Sequence, residues 1–169
     1  HMPFEDAGLM RLIPGMTVFD PCDNVQIANL RRQTADIYGN FYFRTLRKNP
    51  MSIYEEGSTF EIGKAVQLRD GKDVTIIAQG AVLVPEALKA ADALAEKGIS
   101  ARVLDMFTLK PIDKEAIIRA AKETGAIVTA ENHNVINGLA SAVAEVLVGG
   151  FGAGLGQRRG DRGGHRHRR

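Results

Sequence analysis

Between residues 72 and 148, apolar runs of strand length alternate with amphipathic stretches of helix length, three times over and with short connections. DVTIIAQG (73–80) is a continuous apolar run with β-branched residues, the composition of a strand buried on both faces. PEALKAADALAEKG (85–98) places Pro85 at a first helical position, Glu86 in the first turn and Gly98 at the end. Its Leu88, Ala91, Leu94 and Ala95 form one apolar stripe. ISARVLDMFTL (99–109) predicts the next strand. Asp113 and Gly125 bracket a helix with Ile117, Ile118 and Ala121 facing inward. AIVTAEN (126–132) predicts a third strand, and Asn137 opens a third helix over GLASAVAEVLV. This order predicts parallel strands joined by right-handed crossovers with helices on both faces. The expected class is α/β: an open, mostly parallel sheet in a three-layer α/β/α arrangement.

The first fifty residues repeat the alternation less completely. MTVFDP (16–21) reads as a strand, and Asp23 with Gln26 reads as a capping box opening a helix to about Tyr38, with Ile27, Leu30 and Ile37 inward. NFYFRTL (40–46) reads as another strand. Two strands and one or two helices do not close a core, so residues 1–50 are expected to be the rear part of an α/β domain that continues upstream. Residues 51–71 read as a linker leading into an edge strand near FEIGKAVQL, and residues 72–148 as the regular domain.

Residues 149–169 change character abruptly. Without the six arginines and one aspartate of this segment, the chain's 22 basic and 20 acidic residues become 16 and 19. The net charge of +2 therefore belongs to the tail, and the body is slightly acidic. A Gly/Arg-rich segment with so little apolar content cannot offset its ordering entropy, so a disordered tail is expected. Such a tail can bind RNA through phosphate contacts, but a non-native end of the reading frame explains it better. Elsewhere no apolar run approaches the roughly 20 residues of a membrane-spanning helix. The single Cys22 excludes an internal disulfide and suits a cytoplasmic location.

In open α/β sheets, ligands sit beyond the carboxyl ends of the strands. Those ends carry Gln79-Gly80, Asp105-Met106-Phe107 and Glu131-Asn132-His133. Glu131 and His133 can be read as an acid/base pair, although capping of neighbouring elements, or pairing across an interface, is the preferred reading. Arg44 and Arg47 end a strand where guanidinium groups can clamp a phosphate or simply face solvent. There is no GxGxxG and no GxxxxGK[ST], and the scattered His and Cys residues form no metal-ligand pattern. The opening HMPFED leaves two readings of His1, a vector remnant or a functional histidine.

Three stretches together resemble the transketolase family of thiamine diphosphate enzymes. HMPFEDAGLMRLIPGMTVFDPCDNVQ is similar to the end of its pyrimidine-binding domain, FYFRTLRKNP to the strand that follows, and GKDVTIIAQGAVLVPEALKAADALAEKGISARVLDMFTLKPIDKEAI with AIVTAENHNVINGLASAVAEVL to its C-terminal domain. The likeness spans residues 1 to about 148 and stops at the tail. DMFTLKPID resembles C-terminal subunits of split, two-chain transketolases more than deoxyxylulose-5-phosphate synthase or 2-oxo acid dehydrogenase β subunits, which remain the alternatives.

The resemblance implies ketol transfer between sugar phosphates, with thiamine diphosphate and Mg²⁺ in the complete enzyme and none expected on this fragment alone. It makes His1 a genuine substrate-contacting histidine, preceded by sequence that lies upstream, and Arg47 the residue that grips the sugar phosphate. It also implies an N-terminal transketolase subunit or section as partner in a homo- or hetero-oligomer, no membrane partner and little place for nucleic acid. A chain serving only as a non-catalytic assembly module is the remaining reading.

Overall fold

The structure, a computed structural model, describes residues 3–157, with side chains described as far as residue 150. His1 and residues 158–169 of the Arg-rich tail lie outside the described residues. The regular domain is a four-stranded sheet in the order β3-β5-β4-β7, formed by β3 (Val66–Arg69), β4 (Val74–Ala78), β5 (Ala101–Asp105) and β7 (Ile127–Ala130). β4 pairs in parallel with β5 and β7, whereas β3 closes one edge antiparallel to β5. The edge strand expected near FEIGKAVQL is therefore present, at its C-terminal end.

Strand alternation sends neighbouring side chains to opposite faces. Ile77 and Leu104 join Ala116, Ile117 and Ala120 of α4 (Lys114–Thr124) and Leu139, Ala142 and Val143 of α5 (Leu139–Gln157). Ile76, Ala78 and Val103 pack against Val84, Ala87 and Ala91 of α3 (Gly80–Ala95) on the other face. That is the expected three-layer α/β/α arrangement, with a mixed sheet at its centre.

α4 begins and ends where its cap residues predict. Asp113 accepts from the Ala116 N–H at 3.0 Å, and Gly125 closes the helix in the left-handed conformation at φ 69°. α3 instead starts five residues earlier than its proline suggests, with Pro85 inside the helix. This early in the helix a proline removes a single i→i−4 bond, and burial of Val84, Ala87 and Ala91 compensates for it. α5 continues to Gln157, past the boundary expected at Gly149. Gly150 lies beside α4, where a Cβ would make ordinary contact with Ile118 at 3.5 Å.

The expected strand over 99–109 is two strands serving two sheets. Met106 donates its N–H to the Ala78 carbonyl at 2.8 Å, which holds the chain to β4, and Phe107 then accepts from the Asp20 N–H at 2.9 Å. β6 (Thr108–Lys110) consequently pairs antiparallel with β1 (Met16–Phe19), which pairs in parallel with β2 (Asn40–Phe43), giving a second sheet β2-β1-β6. The β1–α2–β2 unit is built on α2 (Asn24–Ala35), whose N-cap Asp23 accepts from the Gln26 N–H at 2.8 Å, as the capping box predicts. α2 stops short of Tyr38, and Ile37, expected inward, is half exposed.

The core is continuous across this junction. Ala7 of α1 (Asp6–Leu12) and Val18 of β1 belong to the same cluster as Ile77, Leu104 and Leu139. A second group, Phe19, Leu30, Phe60 and Phe107, ties β1, α2 and the 51–65 segment to the β5–β6 turn.

Candidate functional site

The carboxyl ends of β1 and β4, with the segment after β2, frame a cleft of about 220 Å³ lined by Asp6, Asp20, Tyr42, Arg44, Gln79, Gly80 and Asn132 among others. Arg44 forms its floor. Its Nε donates to Asp6 Oδ2 at 2.9 Å, Nη1 to Asp20 Oδ2 at 2.7 Å and Nη2 to the Asn132 carbonyl at 3.0 Å. The Tyr42 hydroxyl also donates to Asp6 Oδ2, at 2.8 Å. One guanidinium thus joins α1, β1 and the turn after β7.

The two carboxylates respond oppositely to their surroundings. Burial alone would raise Asp6, but the Tyr42 hydroxyl and the Arg44 guanidinium outweigh it and hold the carboxyl below its ordinary range. Asp20 is buried more deeply, and there desolvation wins over Arg44, so its carboxyl is pushed up. The Tyr42 phenol is raised to about 12, by burial first and then by its bond to Asp6.

Gly80 is required at the mouth. It adopts φ 77°, its N–H donates to the Asp20 carbonyl at 3.0 Å, and a Cβ would stand 2.6 Å from Asp20 Oδ1.

Arg44, read in sequence beside Arg47 as a possible phosphate clamp, is therefore a structural residue with each guanidinium nitrogen engaged. Arg47 is placed differently. It is exposed and lines an adjoining cleft of about 140 Å³ together with Asn24, Thr45, Lys48 and Asn49. Among the described residues its side chain makes no hydrogen bond or ion pair.

Glu131 and His133 lie near one another, with His133 Nδ1 3.8 Å from Glu131 Oε2, but each is bonded to backbone groups that dock neighbouring elements. Glu131 accepts from the Leu139 and Ala140 N–H groups at 2.7 and 2.9 Å, capping α5, as the preferred reading of this residue expects. The His133 side chain is buried; Nε2 accepts from the Gly8 N–H at 3.2 Å and Nδ1 lies 2.6 Å from the Asn134 carbonyl. With Nε2 accepting from Gly8, Nδ1 is placed to donate to the Asn134 carbonyl, and the side chain docks α1 against the turn after β7.

A Cβ on Gly138 would overlap the Glu131 carboxylate. Gly138→Ala should displace that cap and cost about 1–2 kcal/mol, read as a lower urea midpoint at unchanged slope.

Gln79 stands at one of the strand ends where ligands are expected, whereas the sequence patterns do not single out Asp6, Asp20 or Tyr42. A signal exists for Asp20, which, like Gln79, is a polar residue closing an otherwise apolar strand run, VFD beside TIIAQ.

Comparison with known proteins agrees with the fold. The family described as the transketolase C-terminal domain matches residues 63–158. The 6-deoxy-6-sulfo-D-fructose transketolase subunit SqwH of Clostridium sp. (strain MSTE9) is 50% identical over 147 residues, 87% of this chain and 45% of that protein. An apulose-4-phosphate transketolase subunit of Phocaeicola vulgatus is 43% identical over 148 residues, 87% of this chain and 47% of that protein. Among solved structures, a split gene transketolase described as an inactive beta4 tetramer superposes with a TM-score of 0.86 at 46% identity, covering 88% of this chain and 50% of that one. The chain spans about half the length of the curated relatives it matches. Fold, family match and relatives agree, and the chain belongs to the transketolase family, in which it carries the C-terminal domain.

Proposed function

We propose that the chain is the C-terminal section of a transketolase-type transferase, which moves a two-carbon ketol unit between sugar phosphates in company with an N-terminal subunit or section. The observation that carries this reading is the likeness at 50% and 43% identity to proteins named as transketolase subunits.

Thiamine diphosphate and Mg²⁺ are the groups the family likeness implies. Among the described residues no group of three or more His, Cys, Asp or Glu side chains is arranged to hold a metal ion. The buried guanidinium of the larger cleft is saturated by its own carboxylates and a carbonyl. These residues do not fit a diphosphate–metal pair, so in this reading the partner section holds the cofactor. No described helix is long and apolar enough to cross a membrane.

The chain's own contribution is the grip on substrate phosphate. Arg47 and Lys48 line the smaller cleft, and an unengaged guanidinium presents paired N–H donors that match a phosphate dianion. In enzyme assembled with the partner section, Arg47→Ala should raise KM for a phosphorylated ketose by about 10–100-fold, the value of a charge-assisted contact, with kcat much less affected. Co-purification tests the assembly itself: a stoichiometric complex between the two sections supports the reading, and their failure to associate contradicts it.

A further inference from the structure

The larger cleft contains hydrogen-bonding groups that the fold leaves unused. The Gln79 side chain is fully buried, yet neither its Oε1 nor its Nε2 has a partner, and Asp6 Oδ1 is also unpartnered. Both residues line the cleft. Gln79 stands one residue beyond β4, where methionine or leucine would pack without leaving an amide unbonded. A buried amide without a partner is costly, which points to a bonding partner at this position.

The free atoms define what that is. Gln79 Nε2 needs an acceptor, whereas Gln79 Oε1 and Asp6 Oδ1 need donors. A simple cation satisfies the oxygens but cannot accept from Nε2. A phosphate dianion cannot donate to either oxygen, and it finds no free positive charge because all three Arg44 nitrogens are engaged. A hydroxyl both donates and accepts, and neighbouring hydroxyls can serve several such atoms at once. Leu46 and Val82 also line the cleft and are 41% and 40% exposed, so these are the walls able to yield to an entering group.

We infer that this cleft is a binding site for the hydroxylated carbon chain of a neutral polyol, with Gln79 as its recognition residue and Asp6 Oδ1 as a second acceptor. This deepens the sugar-handling reading above and rests on it only for identifying the natural polyol as a sugar. Binding itself can be tested without a phosphate or a partner section.

The test is titration of the full chain with ribitol, followed by saturation-transfer NMR and by the Gln79 side-chain amide resonances. Wild type should bind in the millimolar range with shifts of the Gln79 amide. Gln79→Met keeps the length and apolar volume and should bind at least about tenfold more weakly. Gln79→Leu, which removes both the donor and the acceptor without adding charge, should also lose binding and checks the result if the methionine variant folds poorly. Absence of saturation transfer to wild type, or equal binding by wild type and Gln79→Met, overturns the inference.

Discussion

Arg44→Leu should lower the stability of the chain by about 3–5 kcal/mol near pH 7, the cost of removing one partner from a buried ion network. The size follows from what remains. Asp6 and Asp20 are 8% and 6% exposed, and without the guanidinium both stay desolvated with no counter-charge. The Asn132 carbonyl also loses its donor. Leucine fills part of the space but supplies none of the three hydrogen bonds.

Acidification should then narrow the gap, because protonating the two carboxyls removes the charge that arginine balanced. Arg44→Lys should recover only part of the loss, since a point charge cannot reach the carboxylates and the carbonyl with the same planar fork. Pairing Arg44→Leu with Asp20→Asn should be less damaging than additivity predicts. Urea denaturation at neutral and mildly acidic pH measures all of these. A loss below about 1 kcal/mol would place the network in the class of solvent-exposed pairs and contradict its structural role.

The second large effect concerns Asp105, at the end of β5. Its Oδ2 accepts from the Tyr54 hydroxyl at 2.7 Å, Gln26 Nε2 at 2.8 Å and Cys22 Sγ at 3.5 Å, while Oδ1 has no partner. Burial raises this carboxyl from 3.8 to about 6, with the Tyr54 and Gln26 bonds acting against the rise. The folded chain therefore binds the proton more tightly than the unfolded chain. The associated stability is fully present below pH ~4 and is lost as pH climbs through about 6, after which it stays flat. The shift of about two units corresponds to roughly 3 kcal/mol.

Asp105→Asn carries no titrating carboxyl and should lack this slope. The stability difference between wild type and variant should thus move against wild type by roughly 3 kcal/mol between pH 4 and pH 7. Denaturant midpoints across that window read it directly, and a difference independent of pH would show that Asp105 titrates normally. The Cys22 thiol and Tyr54 phenol of the same cluster are both pushed up by burial and stay neutral throughout this range. Asp23 adds a fixed anchor by accepting from the Ile53 and Tyr54 N–H groups at 2.9 and 2.8 Å, so two aspartates hold the segment after β2 against α2.

Local chemistry was legible in the sequence wherever one residue decides the outcome. Asp113 and Gly125 bound α4, Asp23 and Gln26 open α2, and the apolar run at 73–80 contains β4. Glu131 caps α5, the role preferred for it over catalysis. Outcomes that depend on distant partners were not legible. The division of 99–109 into β5 and β6 needs β1 as a second pairing partner, about ninety residues away in the chain. Pro85 marked a helix start by propensity, and tertiary burial overrode it.

Arg44 and Arg47 look equivalent in FRTLR, because no local pattern records that Asp6 and Asp20 converge on the first and not the second. Gln79 was placed at a ligand-facing strand end, but its role was not legible for a related reason. A glutamine at the end of an apolar strand is unremarkable until neither amide atom has a partner.

In the proposed reading, this chain serves a transketolase-type reaction as one section of a larger enzyme. The most direct measurement is ketol transfer from a phosphorylated ketose to a phosphorylated aldose, with thiamine diphosphate and Mg²⁺ present, for this chain, for the N-terminal section, and for their equimolar mixture. The predicted result is turnover by the mixture and none by this chain alone. Turnover by this chain without the other section, or an inactive mixture of sections shown to associate, would contradict the account.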